Sequence, residues 1–311
     1  VKKLQGKNSA DLTNAVLRNI IRNKNSIRYP DRKEDIVNFL SAYHSHPSWL
    51  VKRWIKQHGE KFTEDLLIAN NKKPRMYMRV NNLKTKKEEL TSLLKSVGLN
   101  YYDGKIIPHF IQLHNLTNIT EWEYFGKGYF TIQDESTGFS CYLLDVKPHH
   151  RVLDLFAAPG GKTSLLADIM NNEGEIFAVD KYESRLKMLK ANLERLGVKN
   201  VIPVGADALE FTDEEKFDKI LLDVPCSGLG TLTKKPDIKW RRDIGDIRRL
   251  AELQPKLLAK GASLLKPGGE LVFSTCTIDP EENFEVVKKF LEENDKFELV
   301  DARQYFPEEY V

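Results

Sequence analysis

The chain has 311 residues, 41% of them apolar and 10% aromatic, which is enough for two or three packed domains and excludes a wholly disordered chain. No apolar run approaches the roughly 18 residues of a bilayer span, the first thirty residues lack the apolar stretch of a secretory signal, and Cys141, Cys226 and Cys276 are too few for a disulfide framework or a four-thiolate zinc site. The net charge of +3 hides an asymmetry, since residues 1–100 hold 21 Lys and Arg against 9 Asp and Glu whereas residues 101–311 hold 27 against 36; a basic front half suits either a polyanion or a solvated lysine-rich surface.

Leu12, Val16, Leu17, Ile20 and Ile21 recur at helical spacing and predict a helix over 10–28, broken by Tyr29-Pro30. Further helices are expected from about Asp35 to His44, from Pro47-Ser48 with Trp49, Leu50, Trp54 and Ile55 on one face, and from about Thr63 to Asn70. After Pro74 the pattern changes. Met76, Met78 and Val80 alternate with polar residues as in a strand, and Lys86 to Val97 reads as a helix ended by Gly98. Short β-rich pieces follow at 105–113 and 127–132, making a small α+β unit.

From Val152 strands and helices alternate. Strands are expected at Val152–Phe156, Ile176–Asp180, Val201–Val204, Lys219–Asp223, Glu270–Thr275 and Phe297–Val300. Helices are expected at Lys162–Met170, Ser184–Leu196, Ile247–Leu265 and Glu281–Glu293. This alternation predicts an α/β, Rossmann-like domain with a doubly wound parallel sheet.

The first strand of that domain runs into Asp154-Leu-Phe-Ala-Ala-Pro-Gly-Gly-Lys-Thr163. A P-loop would need Gly at position 156, where Phe stands, and the G-x-G-x-x-G spacing of a dinucleotide site is absent. What remains is a Pro-Gly-Gly turn at a helix N-terminus, where backbone N–H groups can face a carboxylate, with Asp154 available to face a cation. The methionine part of S-adenosylmethionine (SAM) carries both charges. Asp180 ends the second strand, where a carboxylate can take ribose hydroxyls, and Asp207 follows the third, placed to meet an adenine amino group. A structural glycine turn with helix-capping acids is the competing reading of this loop.

Cys226 lies in Asp223-Val-Pro-Cys-Ser-Gly228 and Cys276 in Ser274-Thr-Cys-Thr277, so both sit at the C-terminal ends of central strands. A single cysteine is ordinarily an inert core residue. Two beside an aspartate at the ligand edge have a chemical use. Cytosine C5 is too weak a nucleophile to attack a methyl sulfonium, but a thiolate added at C6 makes C5 enamine-like. A carboxyl group at N3 and the exocyclic amine stabilises charge on the ring, and a base must then remove the C5 proton so that the thiol can leave. Asp223, Cys226 and Cys276 can supply these groups; spacing does not decide which cysteine attacks. No metal is expected, because none of the seven histidines lies in these loops.

These three motifs resemble the RNA cytosine-C5 methyltransferases. Asn14-Ala-Val-Leu-Arg-Asn19, His46-Pro-Ser-Trp-Leu-Val-Lys-Arg-Trp54, Arg79-Val-Asn81, Ile132-Gln-Asp-Glu-Ser136, Lys235-Pro-Asp-Ile-Lys-Trp240 and Pro280-Glu-Glu-Asn283 extend the resemblance to the bacterial RsmB (Sun/Fmu) type, acting on 16S rRNA, over nearly the whole chain. The resemblance implies that Cys276 attacks C6, that Cys226 resolves the adduct, and that Asp223 with the Pro225 region holds the cytosine edge. It also implies a SAM site lined by Phe156, Ala157, Ala158, Pro159, Gly160, Gly161, Lys162, Asp180, Asp207 and Asp223. Lys162 would lie beside both ligands and Arg185 would reach toward Asp180 or the cofactor. Phe156 departs from the cysteine common in the family.

The resemblance divides the chain into 1–28, a remnant of a NusB-like helical domain; 29–72, a helical linker; 73–132, an RNA-binding α+β unit; and 133–311, the methyltransferase domain. The absence of an initial Met and of a further strand suggests trimmed ends. Lys234, Lys235, Lys239, Arg241 and Arg242 cluster with Trp240 just after Cys226, a pattern suited to a phosphate backbone and an unstacked base. Arg18, Arg22, Lys24, Arg28, Lys52, Arg53 and Lys56 offer a second basic surface, while Arg79, Asn81, Gln133 and Asp134 fit fold contacts at least as well as RNA readout. The resulting expectation is a cytoplasmic, monomeric enzyme with an RNA partner. A methyltransferase for another rRNA or a tRNA, and a non-catalytic RNA-binding or assembly factor, are the alternatives.

Overall fold

The computed structural model describes residues 2–113 and 118–306, and the chain divides into two compact units between Lys72 and Lys73.

The first unit is helical: α1 (Lys2–Arg22), α2 (Ile36–His44), α3 (Ser48–His58) and α4 (Glu60–Asn70). The Asp35 side chain caps α2 by accepting the Asn38 amide at 3.0 Å. Leu40, Leu50, Val51, Trp54 and Leu67, one apolar face from each of α2–α4, are fully buried. The Arg32–Glu64 ion pair closes the exposed side of this unit at 2.7 Å. Helix α1 stops at Arg22 rather than near 28, and Leu12, Val16, Leu17, Ile20 and Ile21 are all exposed. An exposed apolar stripe therefore runs along α1 within this unit.

The second unit holds two sheets. The smaller is antiparallel, ordered β2-β3-β1-β4, from β1 (Met76–Val80), β2 (Tyr101–Asp103), β3 (Phe110–Leu113) and β4 (Phe130–Ile132). Helix α5 (Lys87–Ser96) follows β1 and buries Leu90 and Leu94 with Met78, Val80, Ile111 and Phe130. Met78 and Val80 meet α5 on one face of β1, whereas Tyr77 and Arg79 are buried on the other, so the polar alternation marks two buried faces. Short α6 (Glu123–Gly126) precedes β4, and α7 (Glu135–Leu143) leads out of this layer.

The larger sheet is built from β5 (Arg151–Asp154), β6 (Glu175–Asp180), β7 (Val201–Gly205), β8 (Phe217–Asp223) and β9 (Leu265–Ser274). Its order is β7-β6-β5-β8-β9 and every pairing is parallel. The order reverses between β5 and β8, the switch point where doubly wound sheets bind ligands. Helices α8 (Gly161–Ile169) and α9 (Glu183–Leu196) cover one face, α11 (Ile244–Ser263) and α12 (Phe284–Glu293) the other, and one-turn α10 (Ile238–Arg241) precedes α11. Val152 and Leu221 pack toward Leu165, Leu166 and Met170 of α8, whereas Leu153, Ile220 and Leu222 pack toward Leu257 and Leu258 of α11. Strands buried on both faces read as continuous apolar runs, which is why β5 and β8 were visible in the sequence. Helix α11 starts at Ile244, ahead of the expected Ile247, because Asp243 and Asp246 form a reciprocal capping box.

One expected strand is absent. Residues 297–300 form no ladder; the Phe297 amide donates to the Asn294 carbonyl at 3.2 Å, and Leu299 is 75% exposed. A strand exists only where a neighbouring backbone takes its N–H and C=O groups, and apolar alternation does not provide that neighbour.

The polar residues Arg79, Asn81 and Gln133 join the two sheets. The fully buried Arg79 guanidinium, on β1, donates to Gln133 Oε1 at 2.7 Å and to Ser164 Oγ at 2.8 Å, and pairs with Asp168 at 3.3 Å, both of the latter on α8. Asn81 Nδ2 donates to the carbonyls of Gly128 and Leu196 at 2.7 and 2.8 Å. Buried Glu135, at the start of α7, accepts the amides of Lys105, Ile106 and Ile107. These groups make fold contacts.

Candidate active site

Strand register aligns the C-terminal ends of the parallel sheet. Asp180 of β6 pairs with Gly205 of β7, and Asp223 of β8 pairs with Ser274 of β9. The turn after β5 therefore shares one edge with Asp180, Asp207, Asp223, Cys226 and Cys276.

The turn owes its shape to Asp154 and two glycines. Asp154 is buried; its carboxylate accepts the Thr163 hydroxyl at 2.8 Å and, more weakly, the Phe156 amide at 3.4 Å. It clasps the two ends of the turn and does not face outward toward a cation. Burial raises its carboxyl to about 6. Gly160 takes φ +100°, and a Cβ there would stand 2.7 Å from Leu189 Cδ1 of α9. Gly161 opens α8, and a Cβ there would meet only the Gln133 side chain, in ordinary contact at 3.8 Å.

Asp180 is buried, and among the described residues its Oδ2 accepts no hydrogen bond and has only the Arg185 Nη1 ion pair, at 3.1 Å. The other Arg185 nitrogen donates to the Ala158 carbonyl, so Arg185 bridges the turn and this carboxylate. Asp207 pairs with Lys181 at 2.9 Å and accepts the Leu209 amide, which hold its carboxyl below the usual range. The N-terminus of α8 and the buried acceptor on Asp180 fit the carboxylate and ribose of SAM.

Lys162 Nζ leaves α8 to meet Asp223 Oδ2 at 2.5 Å, and Ser274 Oγ donates to the other Asp223 oxygen at 2.8 Å. Beside them the Sγ atoms of Cys226 and Cys276 are 3.0 Å apart, and the Cys276 amide donates to Cys226 Sγ at 3.2 Å. Cys276 is exposed and Cys226 half-buried. A hydrogen bond from Cys226 brings the Cys276 thiol down to about 7 against the effect of burial, with Lys235 and Lys162 adding to the fall and Asp223 opposing it. Donation to Cys276 and burial push Cys226 the other way. One proton is thus shared between the two sulfurs, with the negative charge favoured on Cys276. Cys141 is a different kind of thiol, buried and pushed up to about 12.

Sequence reasoning missed what holds these loops. Fully buried Glu282 accepts the Ser227 amide at 2.7 Å and also the Ser227 hydroxyl. Gln254 of α11 donates to the Pro225 carbonyl at 2.9 Å. Within Pro280-Glu-Glu-Asn283 only the acidic composition hinted at this role, because burial is invisible locally.

Two family models match the chain: 16S rRNA methyltransferase RsmB/F over residues 141–309, and an RsmF/B-like ferredoxin-like domain over residues 46–120. The chain belongs to the RsmB/F methyltransferase family. The ferredoxin-like match includes α5 and strands β1 to β3, and the methyltransferase match includes the whole parallel sheet.

A probable ribosomal RNA small subunit methyltransferase B from Bacillus subtilis is 37% identical over 96% of this chain and 67% of its own length. Among solved structures, a methyltransferase homolog from Pyrococcus horikoshii is 36% identical, with a TM-score of 0.74 and 82% of each chain covered. NSun6 from Pyrococcus horikoshii, solved with the SAM analogue SFG, is 25% identical, with a TM-score of 0.74 over 79% of this chain and 87% of its own. The chain spans 58–67% of the length of the first curated relatives it matches. RsmB/F proteins are SAM-dependent methyltransferases, and the glycine turn at the N-terminus of α8 with the buried Asp180 acceptor agrees with that.

In this family member the basic cluster after Cys226 is mixed. Lys234, Lys235, Trp240 and Arg241 are exposed, Trp240 by 59%. Lys234 pairs with Asp134, Arg241 with Asp237, and Arg242 donates to the Ser227 carbonyl at 3.2 Å. Lys239 is buried, and its ammonium stands 5.9 Å from the Trp240 ring, so it supports the tryptophan and is not open to phosphate. Among the described residues no group of three or more His, Cys, Asp or Glu side chains is placed to hold a metal, and no helix is long and apolar enough to cross a membrane.

Proposed function

We propose that this chain methylates C5 of a cytosine in 16S rRNA through a covalent bond between Cys276 Sγ and cytosine C6. The observation that carries this reading is the contact of two thiols at the ends of β8 and β9, 3.0 Å apart and next to the Lys162–Asp223 pair. Bound SAM supplies an electrophilic methyl group, with the turn 156–162 and Asp180 and Asp207 as its holders.

The Cys276 thiolate adds to C6, and the electrons of the C5–C6 double bond move toward N3 and O2 of the ring. Asp223 meets N3 and the exocyclic amine, accepting from the amine and relaying a proton from solvent to N3 that neutralises this charge, while Lys162 orients Asp223. C5 then takes the methyl group. With Cys276 bonded to C6, Cys226 releases its own proton to solvent and becomes the base: it removes the C5 proton, the C5–C6 double bond re-forms, the C6–S bond breaks, Cys276 leaves as thiolate and N3 gives its proton back. The cytosine must be single-stranded or flipped to present C6. Exposed Trp240, Lys234, Lys235 and Arg241 are proposed to hold the neighbouring RNA.

Covalent trapping tests this reading. The unsubstituted protein, Cys276→Ala and Cys226→Ala are incubated with SAM and a 16S rRNA transcript and run on a denaturing gel. A denaturant-stable protein–RNA adduct is expected to accumulate with Cys226→Ala and to be absent with Cys276→Ala. The reverse pattern would exchange the two roles. No adduct in any variant, with no methyl transfer by the unsubstituted protein, would overturn 16S rRNA as the substrate.

A further inference from the structure

Ser227 directly follows Cys226, and Thr277 directly follows Cys276. Their hydroxyl oxygens are 3.0 Å apart in the protein interior, which ties the two cysteine loops together just behind the thiols. Glu282 lies fully buried behind this bond and takes both the amide and the hydroxyl of Ser227. The Gln254 amide approaches the same carboxyl group at 3.5 Å, and Asn283 Nδ2 donates to the Thr277 carbonyl at 3.4 Å. Among the described residues no cation pairs with Glu282; the nearby charge is Asp279, which, like burial, pushes its carboxyl up. A buried carboxyl group without a cation is expensive to keep. Here three donors converge on it, and two of them belong to the residue after Cys226.

We propose that Glu282 is a positioning residue that, through Ser227 and Thr277, holds the Cys226 and Cys276 sulfurs within hydrogen-bond distance. The inference rests on the reading of Cys276 as nucleophile and deepens it. Without the clasp the loops separate, Cys226 no longer donates to Cys276, and Cys276 keeps its own proton. The other groups facing Cys276, namely Asp223, Lys162 and Lys235, are untouched by changes at Glu282.

The test is the pH dependence of Cys276 alkylation by iodoacetamide, followed by peptide mass spectrometry on the ligand-free protein, with buried Cys141 as internal control. The unsubstituted protein should show a midpoint near 7. Glu282→Ala and Ser227→Ala should move it up by about one pH unit or more, toward an ordinary thiol. Glu282→Gln should recover most of the shift, since an amide oxygen can accept the Ser227 amide while its NH2 donates to the Ser227 hydroxyl. SAM affinity by calorimetry should stay within about twofold in all three, because the clasp does not touch the SAM turn. An unmoved midpoint in Ser227→Ala would overturn the proposal, and this holds even if Glu282→Ala does not fold. A Glu282→Gln midpoint as high as that of Glu282→Ala would assign the effect to charge and overturn it too. No RNA is needed, so the result stands apart from the substrate: loss of methyl transfer by the unsubstituted protein would count against the 16S rRNA reading and leave the thiol titration intact.

Discussion

At the scale of single residues, burial separates groups that look alike in the sequence. Asp154, Asp180, Asp207 and Asp223 all follow or end strands of the parallel sheet. Only Asp154 is both buried and fully engaged within its own turn, and it rises from the ordinary 3.8 to about 6. A carboxyl group whose folded value is raised binds its proton more tightly in the native state. Its contribution is fully present below about pH 4 and is lost as pH rises through 6, an effect of about 3 kcal/mol. Urea melts should therefore show the unsubstituted protein losing about that much stability relative to Asp154→Asn between pH 4 and pH 7. Equal pH profiles for the two proteins would show that Asp154 is not desolvated. The three cysteines divide in the same way: Cys141 is held above the range of a reactive thiol and Cys276 is brought into it, by surroundings that no local motif describes.

At the scale of elements, the turn between β5 and α8 was the most legible part of the site. Its Pro-Gly-Gly sequence predicts a sharp bend, and the structure supplies the reason for the first glycine. Gly160→Ala would place a Cβ against Leu189 and force a left-handed backbone onto an L-residue. The expected cost is about 1–3 kcal/mol of stability, with weaker SAM binding because the α8 N-terminus turns away; thermal melts and calorimetry read the two effects. Other elements were less legible. Helix α7 went unnoticed because Glu135, Gly138, Ser140 and Cys141 are buried beside apolar residues, which removes the apolar–polar period that marks a surface helix. The opposite error occurred at 297–300, where the alternation of a strand is present and a pairing partner is not.

At the scale of the whole molecule, the small antiparallel sheet and the parallel sheet are joined by buried charge. Arg79 on β1 and Asp168 on α8 lie 3.3 Å apart, each about 2% exposed or less at the side chain. Removing one partner leaves the other charge buried and uncompensated. Arg79→Met should cost about 3–5 kcal/mol in a urea melt, and adding Asp168→Asn should restore a good part of it. Additive effects of the two substitutions would show that the pair is not coupled. Because Ser164 takes one Arg79 hydrogen bond and donates to the Gly161 carbonyl at 3.1 Å, the same loss should loosen the SAM turn.

The sequence by itself determined the alternation of the five parallel strands with their main helices, the glycine turn, and the placement of two cysteines and an aspartate at strand ends. Those features are written in local periodicity and in short motifs. Only the tertiary structure showed that the two sulfurs touch, why Asp154 faces inward, that Lys239 is buried while Lys235 is not, and that Glu282 is buried against Ser227. Each of these depends on solvent exclusion and on partners separated by many residues, such as Ser227 and Glu282 or Arg79 and Asp168. Contacts of that kind arise when the sheet brings its strand ends together, and a linear pattern carries no record of them.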